Sequence, residues 1–145
     1  MNVTGREQNY FHDLAEIEQL VQNFESCSIE PSEFNHHAHL TVAFWYLSQL
    51  PAPAAVERMR AGLHRFTKHH NSDGYHETLT RFWLKLVRHF LDRAETTHSL
   101  TEQANELLTV YDHSRLVFEY YSRERIESGE AKQSWVEPDL KPLDF

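Results

Sequence analysis

The stretch Asn35-His36-His37-Ala38-His39-Leu40-Thr41-Val42-Ala43-Phe44-Trp45-Tyr46-Leu47-Ser48-Gln49-Leu50 decides the fold. It lies between a break at Glu30-Pro31-Ser32 and a stop at Pro51 and Pro53, and so predicts a helix from near Ser32 or Asn35 to near Leu50. Its stripe is His36, His39 or Leu40, Ala43, Tyr46 or Leu47, and Leu50. Val42 to Leu47 is the longest apolar run in the chain. That run is far too short to cross a bilayer, so no membrane partner is expected.

Helical spacing continues on both sides. Leu14, Ile17, Val21 and Phe24 predict a first helix over about 13–25, with Asp13 and Glu16 placed as a capping box. Val56, Met59, Leu63, Phe66 and His70 predict a third helix from about Pro53 to His69, closed by the turn cluster Asn71-Ser72-Asp73-Gly74. Leu79, Phe82, Trp83, Leu86, Val87, Phe90 and Leu91 cover a wide arc from about Tyr75 to Glu95, which predicts that helix four is the central one. Ser99 and Glu102 form a second capping box, opening helix five at Leu100. A further short helix is expected to be capped within 112–114 and to run through Leu116, Phe118 and Tyr121. The expectation is an all-α, single-domain bundle of about five main helices. Residues 1–12 form a flexible N-terminus, 13–134 the bundle, and 135–145 an extended tail pinned by Trp135, Leu140 and Leu143.

Bulk composition agrees. The chain has 145 residues, one ordinary domain, with only four glycines and five prolines, which favours long helices over many tight turns. A formal charge of −8 disfavours a nucleic-acid partner, because such binders carry a basic surplus. The single Cys27 excludes an internal disulfide and any paired-cysteine metal motif, and is read as an unreactive thiol in a reducing, cytoplasmic setting. The N-terminal ten residues carry no apolar segment of signal-peptide length. Eleven histidines are present, and protonating them takes the net charge toward zero near the pI of 5.7, which predicts poor solubility in mild acid.

The histidines also carry the best chemical lead. His36 and His39 are three residues apart at a helix start and project from one face, a usable chelating spacing. The positive end of the helix dipole keeps first-turn imidazoles neutral, as a metal ligand or general base must be. His76, in Tyr75-His76-Glu77-Thr78-Leu79-Thr80, opens helix four and shares a face with Thr80, Trp83 and Val87. In an up-down bundle helices two and four run parallel, so His36, His39 and His76 are expected at one end as three ligands with an open position. Glu77 lies about 100° around the helix from His76, and as a structural group it reads as the N3 carboxylate of a capping box headed by Gly74, or as a dipole partner in the first turn. Glu137 and Asp112 are candidate carboxylates to complete the site.

Three motifs carry a resemblance. Phe34-Asn35-His36-His37-Ala38-His39-Leu40, the Tyr75–Thr80 segment and Trp135-Val136-Glu137-Pro138-Asp139-Leu140 resemble, in the same order, a family of small uncharacterised bacterial helical proteins. That family shows Phe-x-His-x-x-His, Tyr-His-Glu-Thr-x-Thr and Trp-x-Glu-Pro-Asp-Leu. The resemblance spans about Glu16 to Leu143, implies a bacterial cytosolic origin, and leaves His37 at a variable position. The bundle is also similar to DinB-like four-helix proteins, which bind a divalent ion through three histidines. There the closing pair lies near the C-terminus, whereas here His-x-x-His is on helix two.

The function expected is a divalent-metal-dependent enzyme, a hydrolase or an oxygenase, with zinc, iron or manganese held by His36, His39 and His76. Glu77 or Glu137 would act as general base on bound water or on a small-molecule substrate. The alternative is a non-catalytic ligand-binding or protein-interaction module, its histidines hydrogen-bonded to Glu137 or Asp139 of the tail. A third reading places haem or another planar cofactor between Trp83, Tyr46 and a histidine. A homodimer is compatible with an apolar stripe on helix one or five.

Overall fold

A computed structural model describes residues 10–72 and 74–145. All regular structure among them is helical: α1 Leu14–Glu25, α2 His36–Gln49, α3 Ala52–His69, α4 Glu77–Arg93, α5 Leu100–Val110, a 3-10 helix Ser114–Glu119, α6 Arg123–Ile126 and α7 Gly129–Gln133. The first five match the spacing of apolar residues in the sequence. The caps explain their starts. Asp13 accepts from the Glu16 amide at 3.1 Å, and Asn35 from the Ala38 amide at 3.0 Å. Ser99 and Glu102 complete a reciprocal box. Glu16 reaches one residue further back than expected, accepting from the His12 amide at 2.6 Å.

The central helix is α2, not α4. No Asp, Glu, Lys or Arg interrupts His36–Gln49, and Leu40, Val42, Ala43, Phe44, Tyr46 and Leu47 are buried around its whole circumference. It packs against α1, α3, α4 and α5. α4 instead carries Arg81, Lys85, Arg88 and Asp92 on its open side. It serves as a seam between two apolar clusters. One is the α1–α5 core; the other gathers Phe82 and Leu86 with Val117, Tyr120, Tyr121, Ile126, Ala131 and Val136. Two contacts fix the relative sense of α2 and α4: the His36 ring lies 4.8 Å from that of Trp83, and Arg88 donates to the Leu47 carbonyl at 3.4 Å. Position increases together along both helices, so they run parallel, as the up-down reading requires.

Both α1 and α3 end in the same left-handed turn. Cys27 (φ 61°) and Asn71 (φ 55°) occupy the position after each C-cap. The Ser28 amide reaches the Asn23 carbonyl at 2.9 Å, and the Ser72 amide reaches that of Thr67 at 2.7 Å. Gly62 lets α3 approach α1, since a Cβ there would lie 2.6 Å from Phe24 Cε2.

Several expectations are corrected. Residues 1–9 of the expected flexible N-terminus lie outside the described residues, but the Phe11 amide and carbonyl are both bonded by the buried Asn105 side chain, at 3.0 and 2.9 Å. The short helix after α5 is a 3-10 segment without a side-chain cap. α6 and α7 follow it, capped by Ser122 and Ser128. In the irregular segment 135–145, Leu140 is exposed and only its amide is fixed, to the Tyr120 carbonyl at 2.9 Å. Trp135 and Leu143 do pack against the second cluster, as expected, and they are joined by Val136, which is buried, and Phe145, whose ring is 5.4 Å from Phe82.

Candidate functional site

The parallel sense of α2 and α4 brings the His-x-x-His and Tyr-His-Glu-Thr segments to one cleft of about 510 Å³. His36, His39 and Ala43 of α2 line it with His76, Leu79, Thr80, Trp83 and Leu84. Met59, Leu63, Phe66 and Thr67 of α3 form the opposing wall, and Phe34, Tyr75 and Ser114 complete the rim. Glu137 is elsewhere. It lines a second, shallower cleft with Lys85, Trp135 and residues 138–143, where it accepts from the Trp135 indole at 2.8 Å.

The three histidines differ in what their ring nitrogens already do. His76 is the N-cap of α4, and its Nδ1 accepts from the Leu79 amide at 3.1 Å. That fixes the proton on Nε2, which donates to the Ile126 carbonyl at 2.7 Å. Neither nitrogen has a lone pair left for an ion. His36 donates from Nε2 to the Tyr111 carbonyl at 2.8 Å, so its Nδ1 keeps a lone pair. Burial is the main force pushing its pKa down, against a smaller upward pull from the Tyr111 carbonyl. The His39 ring makes no hydrogen bond; it lies 4.0 Å from that of Phe34. The protein around the ring, and then His36, push its pKa down to about 4. More than a third of the residue is open to solvent, and water on that side offsets part of the push. Either way the imidazole is neutral at pH 7.

Glu77 is not free to act as a base. It is buried, and the Arg60 guanidinium grips it with both arms, Nε to Oε1 at 3.1 Å and Nη2 to Oε2 at 2.7 Å. The Tyr75 hydroxyl also donates to Oε1. The Arg60 hydrogen bonds, outweighing desolvation, hold its carboxyl below the usual range. Burial and then Glu77 push the Tyr75 phenol up to about 12. Because His76 is the cap, Glu77 occupies the first helical position, where it faces the positive end of the helix dipole as one expectation had it, rather than the third position of a box headed by Gly74.

Asp112 pairs with His37 at 2.8 Å, the histidine left aside by the sequence pattern, and the Tyr10 ring packs edge-on against it at 4.7 Å. Asp139, an expected acceptor for His36 or His76, instead receives the Ser122 amide and hydroxyl at 2.8 and 2.7 Å. The imidazoles bond to backbone carbonyls, not to tail carboxylates. Tyr46 does not face Trp83 across a cofactor slot: it is buried, with its hydroxyl on Glu25. Among the described residues, no group of three or more His, Cys, Asp or Glu is placed to hold one ion. None is long and apolar enough as a helix to cross a membrane.

The cleft also has a feature that only the fold reveals. Its described lining contains no Asp, Glu, Lys or Arg, although the chain as a whole carries a net charge of −8. Comparison with known proteins gives no match: no family model, no curated protein and no solved structure is similar to the chain.

Proposed function

We propose that this protein binds a small organic molecule in the α2–α4 cleft, and that its histidines serve as capping and hydrogen-bonding groups of that cleft. The observation that carries the reading is His76, both of whose ring nitrogens are spent on Leu79 and Ile126. Its neighbour Glu77 is likewise spent on Arg60 and Tyr75. What remains is a concave, largely apolar site of the size small ligands occupy, with a few polar groups on its walls. A bacterial cytoplasmic setting, implied by the motif resemblance, belongs to the same proposal. The test is titration with the neutral, environment-sensitive dye Nile red. Enhanced fluorescence is expected with the wild type and its loss with Leu79→Trp, which fills the cleft. No enhancement, or equal enhancement in a folded Leu79→Trp variant, removes the reading.

A metal-dependent enzyme is the second reading, and one observation favours it. His36 directs Nε2–H at a backbone carbonyl, the arrangement that orients imidazoles whose other nitrogen binds a metal. With the His39 ring one turn away and without a hydrogen bond, two imidazoles would hold zinc, iron or manganese; His76 does not fit as the third. A bound ion would supply Lewis acidity there. Elemental analysis after reconstitution with each metal, beside a His36→Ala/His39→Ala variant, decides it. Stoichiometric metal lost in the variant supports the enzyme; none in either supports the ligand-binding module.

A further inference from the structure

The lining of the cleft limits what it can hold, and this inference rests on the small-molecule reading above. We infer that the ligand is a planar molecule without negative charge, with a hydroxyl or N–H donor that is received by His39.

The exclusion of negative charge comes first. No lysine or arginine among the described lining residues is available to a carboxylate or phosphate. Arg60 and Glu77, the latter between the lining residues His76 and Leu79 in sequence, neutralise each other through two hydrogen bonds. An ion entering an apolar site without a partner loses its hydration for little return. Planarity follows from the walls. Phe34 and Phe66, their rings 5.0 Å apart, stand on one side, and Trp83 lines the same cleft from α4. Aromatic faces favour flat rings by offset or edge-on packing. The donor requirement comes from the imidazoles. Trp83 and Phe34 supply no acceptor, His76 has none free, and His36, already tied to the Tyr111 carbonyl, keeps only Nδ1. His39 alone among the lining histidines has both ring nitrogens without a hydrogen bond, and a neutral imidazole offers one acceptor there. Its low pKa keeps that acceptor available through the neutral range.

Three probes with one ring system separate these claims at pH 7: 2-naphthol, 2-naphthoate and 2-methoxynaphthalene, titrated by calorimetry. Naphthol is expected to bind at least about tenfold tighter than naphthoate, a difference of about 1.4 kcal/mol. It is also expected to bind several-fold tighter than the methoxy compound, which lacks the donor. In His39→Phe, a change at an exposed position, naphthol and methoxynaphthalene should bind alike. Naphthoate binding as tightly as naphthol overturns the exclusion of negative charge. A naphthol advantage that survives His39→Phe overturns the role of His39. Nile red binding without naphthol binding overturns the ligand class while leaving the cleft reading standing. Failure of Nile red and of all three probes removes both.

Discussion

His76 Nδ1 accepts the Leu79 amide while its Nε2 donates to the Ile126 carbonyl, fifty residues downstream. One imidazole thus caps a helix and fastens a distant turn. Replacing His76 by Ala should cost about 1–3 kcal/mol, because it uncaps α4 and strands a carbonyl. His76→Asn should recover the cap portion alone, since asparagine caps well but is too short to reach Ile126. Urea denaturation of the three proteins checks the order wild type, Asn, Ala. An alanine variant as stable as the wild type would show that the imidazole does neither job.

Glu77→Gln should destabilise the fold by about 1–3 kcal/mol by leaving the Arg60 fork and the Tyr75 hydroxyl without a carboxylate. Arg60→Lys should cost part of this, since a point charge cannot reproduce two-armed contact. Thermal melts of both, and of the double variant, measure the coupling. Additive losses would mean that the pair seen in the structure contributes nothing of its own.

Gly62→Ala should be destabilising despite alanine's better helix propensity. Propensity favours alanine by about 1 kcal/mol, but overpacking against Phe24 costs about 1–3 kcal/mol. Phe24→Leu should reverse the sign at position 62. Chemical denaturation of the four combinations tests this, and a stabilised Gly62→Ala in the Phe24 background would contradict the close approach of α1 and α3.

How much of this was legible follows from particular residues. α1 to α5 repeat apolar side chains over several turns, and α1, α2 and α5 begin at Asp13, Asn35 and Ser99, residues whose side chains suit a cap. α6 and α7 span four and five residues, too short for any periodicity, and only Ser122 and Ser128 hinted at them. The breadth of the α4 arc suggested a central helix, but it reflects two separate clusters on its two sides. The meeting of His36, His39 and His76 at one cleft was readable from motif spacing and parallel packing. Their hydrogen bonds were not, because the partners are backbone carbonyls, which leave no trace in side-chain identity. Histidine is also outside the usual set of N-caps, so the role of His76 had no pattern to signal it.

Acid should weaken the fold through His36 and His39. Both have folded-state pKa values below the unfolded value of about 6.5, so the unfolded chain binds more protons as pH falls. Their contribution is whole above that value and is lost between it and the folded values, about 4 for His39. Melting temperatures in low-salt buffers should therefore fall from pH 6.5 to 4, and His39→Gln should flatten part of the slope. An unchanged slope would mean that solvent at the open face cancels the effect.

Deleting the segment after Ser134 should lower the melting temperature sharply. The Thr78 hydroxyl accepts the Val136 amide at 3.2 Å, the Tyr121 hydroxyl donates to the Val136 carbonyl at 2.7 Å, and Tyr120 donates to Asp144 at 2.6 Å. A truncated protein that melts with the wild type would show these bonds to be dispensable.

The carbonyls that anchor the two histidine-bearing rims of the cleft lie 75 and 50 residues after their imidazoles. A chain emerging from the ribosome therefore presents α2 and α4 long before Tyr111 and Ile126 arrive to hold their first turns. Until then those first turns lack their partner carbonyls, and the aromatic side chains beside them belong to the kind of apolar surface that makes partly made proteins stick. The rims of the cleft are thus fastened only after synthesis has passed Ile126.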